Sequence, residues 1–227
     1  MITKARAQAR TLTPKEIKHG IRIAGVRQQP ERNQLVLYLS HAACLRITEI
    51  AQIRPYDILT KRGELRESFV LPAAFGKGKA KARRVWLTHQ KLRVAINTYC
   101  RYRLENSIGL GKPDEYRGLA PKSPLIRSNR GGAYALVAKR RRMKDYTFKY
   151  YGACDGLERL MRSIYVSAGL KGASSHSGRR STATNLNELG VLLGEIQKLL
   201  GHSDYQQTLT YIDIRPARRA DMVIGVI

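Results

Sequence analysis

The sequence predicts a mainly α-helical protein with a small antiparallel β-sheet, an α+β chain, and three observations lead there. Capped segments of helical periodicity recur from Thr13 into the last third. Only two short runs, Leu65–Leu71 and Arg83–Thr88, are rich in β formers (Phe69, Val70, Val85, Trp86). A Gly-punctuated basic loop, FGKGKAKAR, joins those two runs as a hairpin tip would.

Taken in order, residues 1–12 read as a loose basic lead-in and order begins at Thr13. Thr13 is a good N-cap, Pro14 suits the first helical position, and Glu16 completes a capping box, so a helix runs to about Val26. A second helix over Pro30–Leu45 is apolar at Leu35, Leu39, Ala42 and Ala43, and a short one over Thr48–Ile53 ends at Arg54-Pro55. After the hairpin comes a helix over Gln90–Asn106, then a Gly/Pro-rich connection over Gly109–Gly132 with one short strand and a turn in SPLIRSNRGG. The basic run LVAKRRRMK, Leu136–Lys144, reads as the charged side of a helix. Asp155–Ala168 is amphipathic, with Leu157, Leu160, Met161, Ile164 and Tyr165 as its stripe and Gly169 as its stop.

The last third, SSHSGRRSTATNLNELGVLLGEIQKLLGHSDYQQTLTYI, concentrates the chemistry. Ser174 or Ser175 caps a helix opening at His176 and stopping at Gly190, which puts Arg179 on the same face one turn on, near an anion-favouring N-terminus. A helix over Leu192–Leu200 ends at Gly201. Ser203 and Gln206 form a further capping box, so His202 sits in a turn and Tyr211 rides a short final helix. Upstream, Arg46 stands among apolar residues in AACLRITEI, where a charge must be paired or face a functional cleft; Glu49, one turn later, is its possible partner. Two arginines, two histidines and a late tyrosine suit chemistry on a phosphodiester. Each alone has a bland reading: His-x-x-Arg is usually a surface pair, and twelve tyrosines make any one ordinary.

Composition narrows the partners. The 227 residues hold one large domain or two small ones, and 42 Lys and Arg against 17 Asp and Glu leave a net charge of +25. Such an excess implies a polyanion, nucleic acid first, with a membrane surface or the ribosome as alternatives. The three cysteines show neither CxxC nor zinc-ligand spacing, so neither disulfides nor structural zinc are expected. No apolar span follows the basic N-terminus, and the expectation is a soluble, cytoplasmic protein without membrane contact.

ACLRITEIAQI, GKGKAKARRVWLT, HSGRRSTA and LLGHSDYQQTLTYI together resemble, in order, the motif boxes of the tyrosine recombinase (phage integrase) family. The likeness covers nearly the whole chain from Leu12 and implies the family's mainly helical catalytic domain over 13–227. Carried over residue by residue, it makes Tyr211 the nucleophile that forms a 3′-phosphotyrosyl bond and frees a 5′-hydroxyl. Arg46 and Arg179 resemble the clamp on the non-bridging oxygens, and His176 and His202 the pair that supports it. Lys77 resembles the general acid, and Glu49 a carboxylate buttressing Arg46. Further DNA-binding cations are expected at Lys79, Lys81 and Arg83 of the hairpin, at Arg140, Arg141 and Arg142, and at Arg180. The chemistry implied needs no metal, cofactor or ATP, and neither a P-loop nor an acidic cluster is present. A phenol ionises near pH 10, so neighbouring cations must favour its anion.

Double-stranded DNA is the implied partner, with a tetramer on DNA, possible accessory proteins and a bacterial, phage or mobile-element origin near the nucleoid. Two departures stand out. Cys44 replaces the family's usual glycine, which a helical backbone there would tolerate. Too few residues precede Thr13 for the family's N-terminal core-binding domain, so it is expected to be absent. Alternatives are DNA relaxation like that of type IB topoisomerases, a non-catalytic DNA-binding regulator, and, more distantly, an RNA-binding role.

Overall fold

The structure is a computed structural model that describes residues 8–75, 82–143 and 145–213. It is organised around α2 (Pro30–His41), against which α1 (Pro14–Ala24), α5 (Gln90–Glu105), α6 (Asp155–Ser167) and α7 (Ser177–Glu188) all pack. The sequence of α2 explains this position. It buries Leu35, Val36, Leu37 and Leu39 together with Asn33 and Ser40, leaving only a narrow, partly exposed stripe at Glu31, Gln34 and Tyr38. Arg32 on the same helix is also buried and bonds the Asn33 carboxamide oxygen at 2.8 Å; Arg103 caps the end of α5 through the carbonyls of Ile108, Gly109 and Leu125. Part of the positive charge is therefore structural.

The capping box at Thr13 is formed as expected, with the Glu16 carboxylate accepting from the Thr13 N–H at 2.9 Å. The residues before it are less loose than the sequence reading. Leu12 is fully buried and donates its N–H to Ser181 Oγ at 2.7 Å, and Arg10 donates its N–H to the Gly172 carbonyl at 3.0 Å. The expected hairpin pairs β1 (Ser68–Leu71) with β2 (Arg83–Trp86), antiparallel, in the register Phe69 opposite Val85. One-turn helices α3 (Ile47–Ile50) and α4 (Pro55–Ile58) precede it.

The basic run is where the sequence reading fails. Val137–Arg142 is a strand, β3, paired antiparallel with β4 (Phe148–Ala153), not a helix. Ala, Lys, Arg and Met favour a helix in isolation; the aromatic strand FKYYGA supplies a cross-strand partner that overrides this. SPLIRSNRGG forms an isolated bridge, Arg127 to Ala133, around a turn.

Helix α2 also ends earlier than predicted, at His41, because tertiary bonds hold the residues after it. Thr182 Oγ1 donates to the His41 carbonyl at 2.6 Å, and Cys44 turns left-handed at φ 53°. The backbone there is not helical, so the side chain at Cys44 costs strain of about 1–2 kcal/mol where a glycine would cost none. Cys44→Gly is therefore expected to be at least as stable as Cys44→Ala in urea melts. A helical site would show the reverse order, by about 1 kcal/mol.

Behind Cys44 lies a small second core of Ala183, Ile196 and Leu200, with Leu186, Val191, Leu199, Tyr211 and Ile212 packed on it. It joins α7 to α8 (Leu193–Leu200) and α9 (Tyr205–Leu209). Among the described residues no helix is long and apolar enough to cross a membrane.

Candidate active site

The turn after α2 delivers Arg46 to the start of α3. Glu49, 1% exposed, takes the backbone N–H of Arg46 on Oε2 at 2.7 Å and the Arg46 Nη1 on Oε1 at 2.7 Å. Its Oε2 also pairs with Arg83 Nη2 at 2.8 Å. One carboxylate thus fixes two guanidinium groups. Burial would raise the Glu49 pKa, but Arg83, then Arg46 and Arg179, outweigh it and hold it below the ordinary value.

Arg179 is brought to the same place by α7, which lies close against α2 at Gly178. A Cβ at Gly178 would stand 2.9 Å from the Ser40 carbonyl carbon, so only glycine permits the approach. The Arg179 guanidinium is fully buried. It donates Nη1 to the Cys44 carbonyl and Nη2 to the Leu200 carbonyl at 2.6 Å. The left-handed turn at Cys44 aims that carbonyl, which also faces Arg83 Nη2 at 3.4 Å. Burial, then the neighbouring Arg46 cation, push the Arg179 pKa down to about 10, which leaves it charged at neutral pH.

His202 follows Gly201, whose φ of 61° ends α8. A Cβ there would meet Arg83 Nε at 2.7 Å, so this glycine serves both the turn and the arginine's path. His202 Nε2 lies 3.1 Å from Arg179 Nη2 and Nδ1 lies 3.1 Å from Thr208 Oγ1. Arginine only donates, so Nε2 accepts and the ring proton sits on Nδ1, shared with Thr208. Burial and then the Arg179 cation depress the His202 pKa to about 3.

A histidine depressed in this way stabilises the fold fully above its unfolded pKa of about 6.5 and progressively less below it, by up to about 1.4 kcal/mol per pH unit. Buried His41, lowered to about 4 by desolvation, acts with the same sign. The melting temperature should therefore fall steadily below about pH 6.5. Nitrogen NMR should show His202 neutral and Nδ1-protonated down to the onset of unfolding; a folded His202 that titrates near 6.5 would contradict this arrangement.

Tyr211 stands two residues past the end of α9 at Leu209 rather than within it. The cap of α9 is Asp204, accepting from the Gln206 N–H at 3.0 Å, in place of the expected Ser203–Gln206 box. The Tyr211 ring meets His202 edge-on at 4.6 Å between centroids and covers Arg179 at 5.8 Å. Its hydroxyl lies 3.4 Å from His176 Nδ1. His176 is the N-cap of α7 rather than its first residue, because Ser177 Oγ takes the Ser174 N–H at 2.9 Å and closes the turn before the helix. A cavity of about 260 Å³, lined by Arg46, Thr48, Tyr151, Ser175 and His176 among others, opens beside the cluster.

The structure thus brings Arg46, Glu49, His176, Arg179, His202 and Tyr211 together. Lys77, Lys79 and Lys81 lie outside the described residues, as do Arg215, Arg218 and the rest of the tail after Asp213. Arg83 and Arg180, expected as DNA-binding cations, have partners within the protein. Arg83 pairs with Glu49, and Arg180 pairs with Asp213 at 2.6 Å while donating to the Thr210 carbonyl at 2.9 Å. Arg140 and Arg142 are exposed on β3; Arg141 stands between them, its side chain outside the described part of the structure. Two contributors carry no sequence signal beyond their place. Thr208 takes the Nδ1 proton of His202 from one turn of α9, and the Cys44 carbonyl acts through backbone conformation alone.

A helix-rich fold thus gathers two arginines, two histidines and a tyrosine around one cleft. The chain belongs to the Phage integrase family, whose profile matches residues 10–218. It is 26% identical over 192 residues to tyrosine recombinase XerD of Oceanobacillus iheyensis, covering 84% of this chain and 53% of that protein. To tyrosine recombinase XerA of Thermococcus kodakarensis it is 27% identical over 217 residues, covering 92% and 60%. It therefore spans only about half to three-fifths of these relatives. The crystal structure of XerA recombinase shares its fold with a TM-score of 0.69 at 18% identity, over 97% of this chain and 66% of that one. XerH recombinase in a post-cleavage complex with its palindromic difH substrate gives 0.64 at 18% identity, over 96% and 53%.

Proposed function

We propose that this chain is the catalytic part of a tyrosine-type, site-specific DNA recombinase that cuts and rejoins strands without metal or ATP. The observation that carries the reading is the Tyr211 phenol, set over Arg179 and against His176 with Arg46 held across the cleft by Glu49. Tyr211 Oη attacks the scissile phosphorus and passes its proton to His176. The phosphorus–5′-oxygen bond breaks, and Lys77 supplies the proton that makes the leaving group a 5′-hydroxyl. Arg46 and Arg179 take the non-bridging oxygens as negative charge builds there. Arg179 is fully covered while Tyr211 lies on it, so the phenol moves aside as the phosphate arrives. His202, neutral and accepting from Arg179, is a positioning residue in this state. The bond energy is kept in the phosphotyrosine, and a second 5′-hydroxyl reverses the step.

Two duplexes must meet for strand exchange, so the active assembly is a multimer on DNA, a tetramer in the simplest case, with accessory DNA-binding proteins where site choice demands them. The test works without a defined target sequence. Wild type and Tyr211→Phe are expressed in bacteria, lysates are denatured, and DNA covalently attached to the protein is sequenced. Attached DNA sharing one sequence, seen with the wild type and absent with Tyr211→Phe, is the expected result. DNA binding by both proteins with no adduct, confirmed on nicked duplexes that trap the intermediate, would favour a regulatory DNA-binding protein instead.

A further inference from the structure

The β3–β4 hairpin is not explained by the chemistry above, and its two faces differ. Strand pairing puts Ala138, Arg140 and Arg142 on one face with Gly152, Tyr150 and Phe148 opposite them. Every residue of that face is exposed, with Phe148 at 49% and Tyr150 at 67%. On the other face Lys139 pairs with Asp155 at 2.6 Å at the start of α6, which fixes the hairpin to the body. Arg140 lies over the Phe148 ring at 4.9 Å and Arg142 over the Tyr146 ring at 4.6 Å. Among the described residues neither arginine makes an ion pair. The aromatic rings hold the guanidinium planes in place while their forks stay free for another acceptor.

The hairpin is also built to keep its shape. Asp145 Oδ1 accepts from the Thr147 hydroxyl at 2.7 Å and from its N–H at 3.1 Å, and Met143 donates its N–H to the Thr147 carbonyl at 2.8 Å. Its base forms part of the catalytic cleft: Tyr151, Gly152 and Ala153 line the same cavity as Arg46 and His176. The strands then extend for roughly 17 Å, about the rise of five base pairs.

We propose that this exposed Arg–aromatic face enters the major groove of duplex DNA beside the cleavage point and reads guanine edges through Arg140 and Arg142. The proposal rests on the DNA reading above and adds to it a second, sequence-reading contact. A two-stranded ribbon fits the major groove, and an arginine fork matches guanine O6 and N7. Charge complementarity selects DNA over a protein partner, since two unpaired guanidinium groups would face a protein surface at a cost.

The test uses the full chain and a duplex selected by the wild type from a randomised pool. Its binding is compared with that of the same duplex carrying glucosylated 5-hydroxymethylcytosine, whose sugars fill the major groove. Wild type, Arg140→Ala with Arg142→Ala, and Arg140→Lys with Arg142→Lys are measured on both. The expected result is tenfold or more weaker binding of the wild type to the glucosylated duplex, about the discrimination of one bidentate pair. Both double variants should lose most of that preference, with unchanged melting temperatures. Equal weakening of the alanine variant on both duplexes would show phosphate contact only and overturn the proposal. So would variants that keep the full preference, whether or not they lose self-association. If the wild type binds neither duplex, the DNA reading itself fails.

Discussion

Arg179→Lys is expected to slow strand cleavage by about a hundred- to a thousandfold, the loss seen when one charge-stabilising donor is removed from an active site. Lysine keeps the charge, so the argument rests on the fork. The guanidinium spans the Cys44 carbonyl, the Leu200 carbonyl and His202 Nε2 from one plane. A lysine ammonium cannot serve those acceptors while also reaching a phosphate. Each buried acceptor left unpaired costs about 1–3 kcal/mol, so the variant should also melt earlier in urea. Full cleavage activity with an intact fold would show that Arg179 is only a strut between α7 and the Cys44 turn.

The second large effect is expected at Glu49, where removing one carboxylate leaves Arg46 and Arg83 facing each other near Arg179. Glu49→Gln keeps the shape and should cost about 3–5 kcal/mol, as for other broken buried pairs, with cleavage lost because Arg46 is no longer held. The pH dependence separates charge from packing. The folded pKa of Glu49 is depressed, so its contribution is complete above the ordinary carboxylate range and disappears as pH falls through the lowered value. Melts of wild type and Glu49→Gln should therefore differ most near neutrality and converge in acid. A gap that stays constant with pH would mean that the loss lies in packing.

The fold class and the locally signalled parts of the candidate site were legible in the sequence, and the parts that depend on distant partners were not. Helices that carry their own caps, such as α1 at Thr13 and Glu16, announce themselves locally. The Arg46–Glu49 pair could also be anticipated, because a lone charge in an apolar run needs a partner one turn away. The β3–β4 hairpin was not legible, since LVAKRRRMK has helical propensity and becomes a strand only against FKYYGA. The same is true of the Cys44 turn. No glycine or proline marks it, and its conformation is held by Arg83, Arg179 and Thr182 arriving from elsewhere in the chain. The burial of Arg83 and Arg180 was not legible either, because sequence gives charge without burial; the fold turns both inward to carboxylates.

These inward arginines bear on how the site is assembled. Arg83 ties β2 to Glu49, and Glu49 ties it to Arg46, so the base of the β1–β2 pair is anchored to the arginine proposed to hold the phosphate. Tyr211 instead rests on the small second core with Leu200 and Ile196, a surface that costs less to leave than the main core. A fixed arginine pair and a tyrosine on a lesser core fit the cleavage step proposed above, in which the phenol moves onto a phosphorus atom.

The central claim is that Tyr211 becomes covalently bound to DNA, and mass spectrometry of the trapped adduct tests it most directly. The protein is incubated with a nicked duplex bearing the captured site and digested with protease and nuclease, and the nucleotide-bearing peptide is sequenced. The account predicts a 3′-linked nucleotide on Tyr211 and none in Tyr211→Phe. A nucleotide on any other residue, or cleavage that persists in Tyr211→Phe, would contradict it.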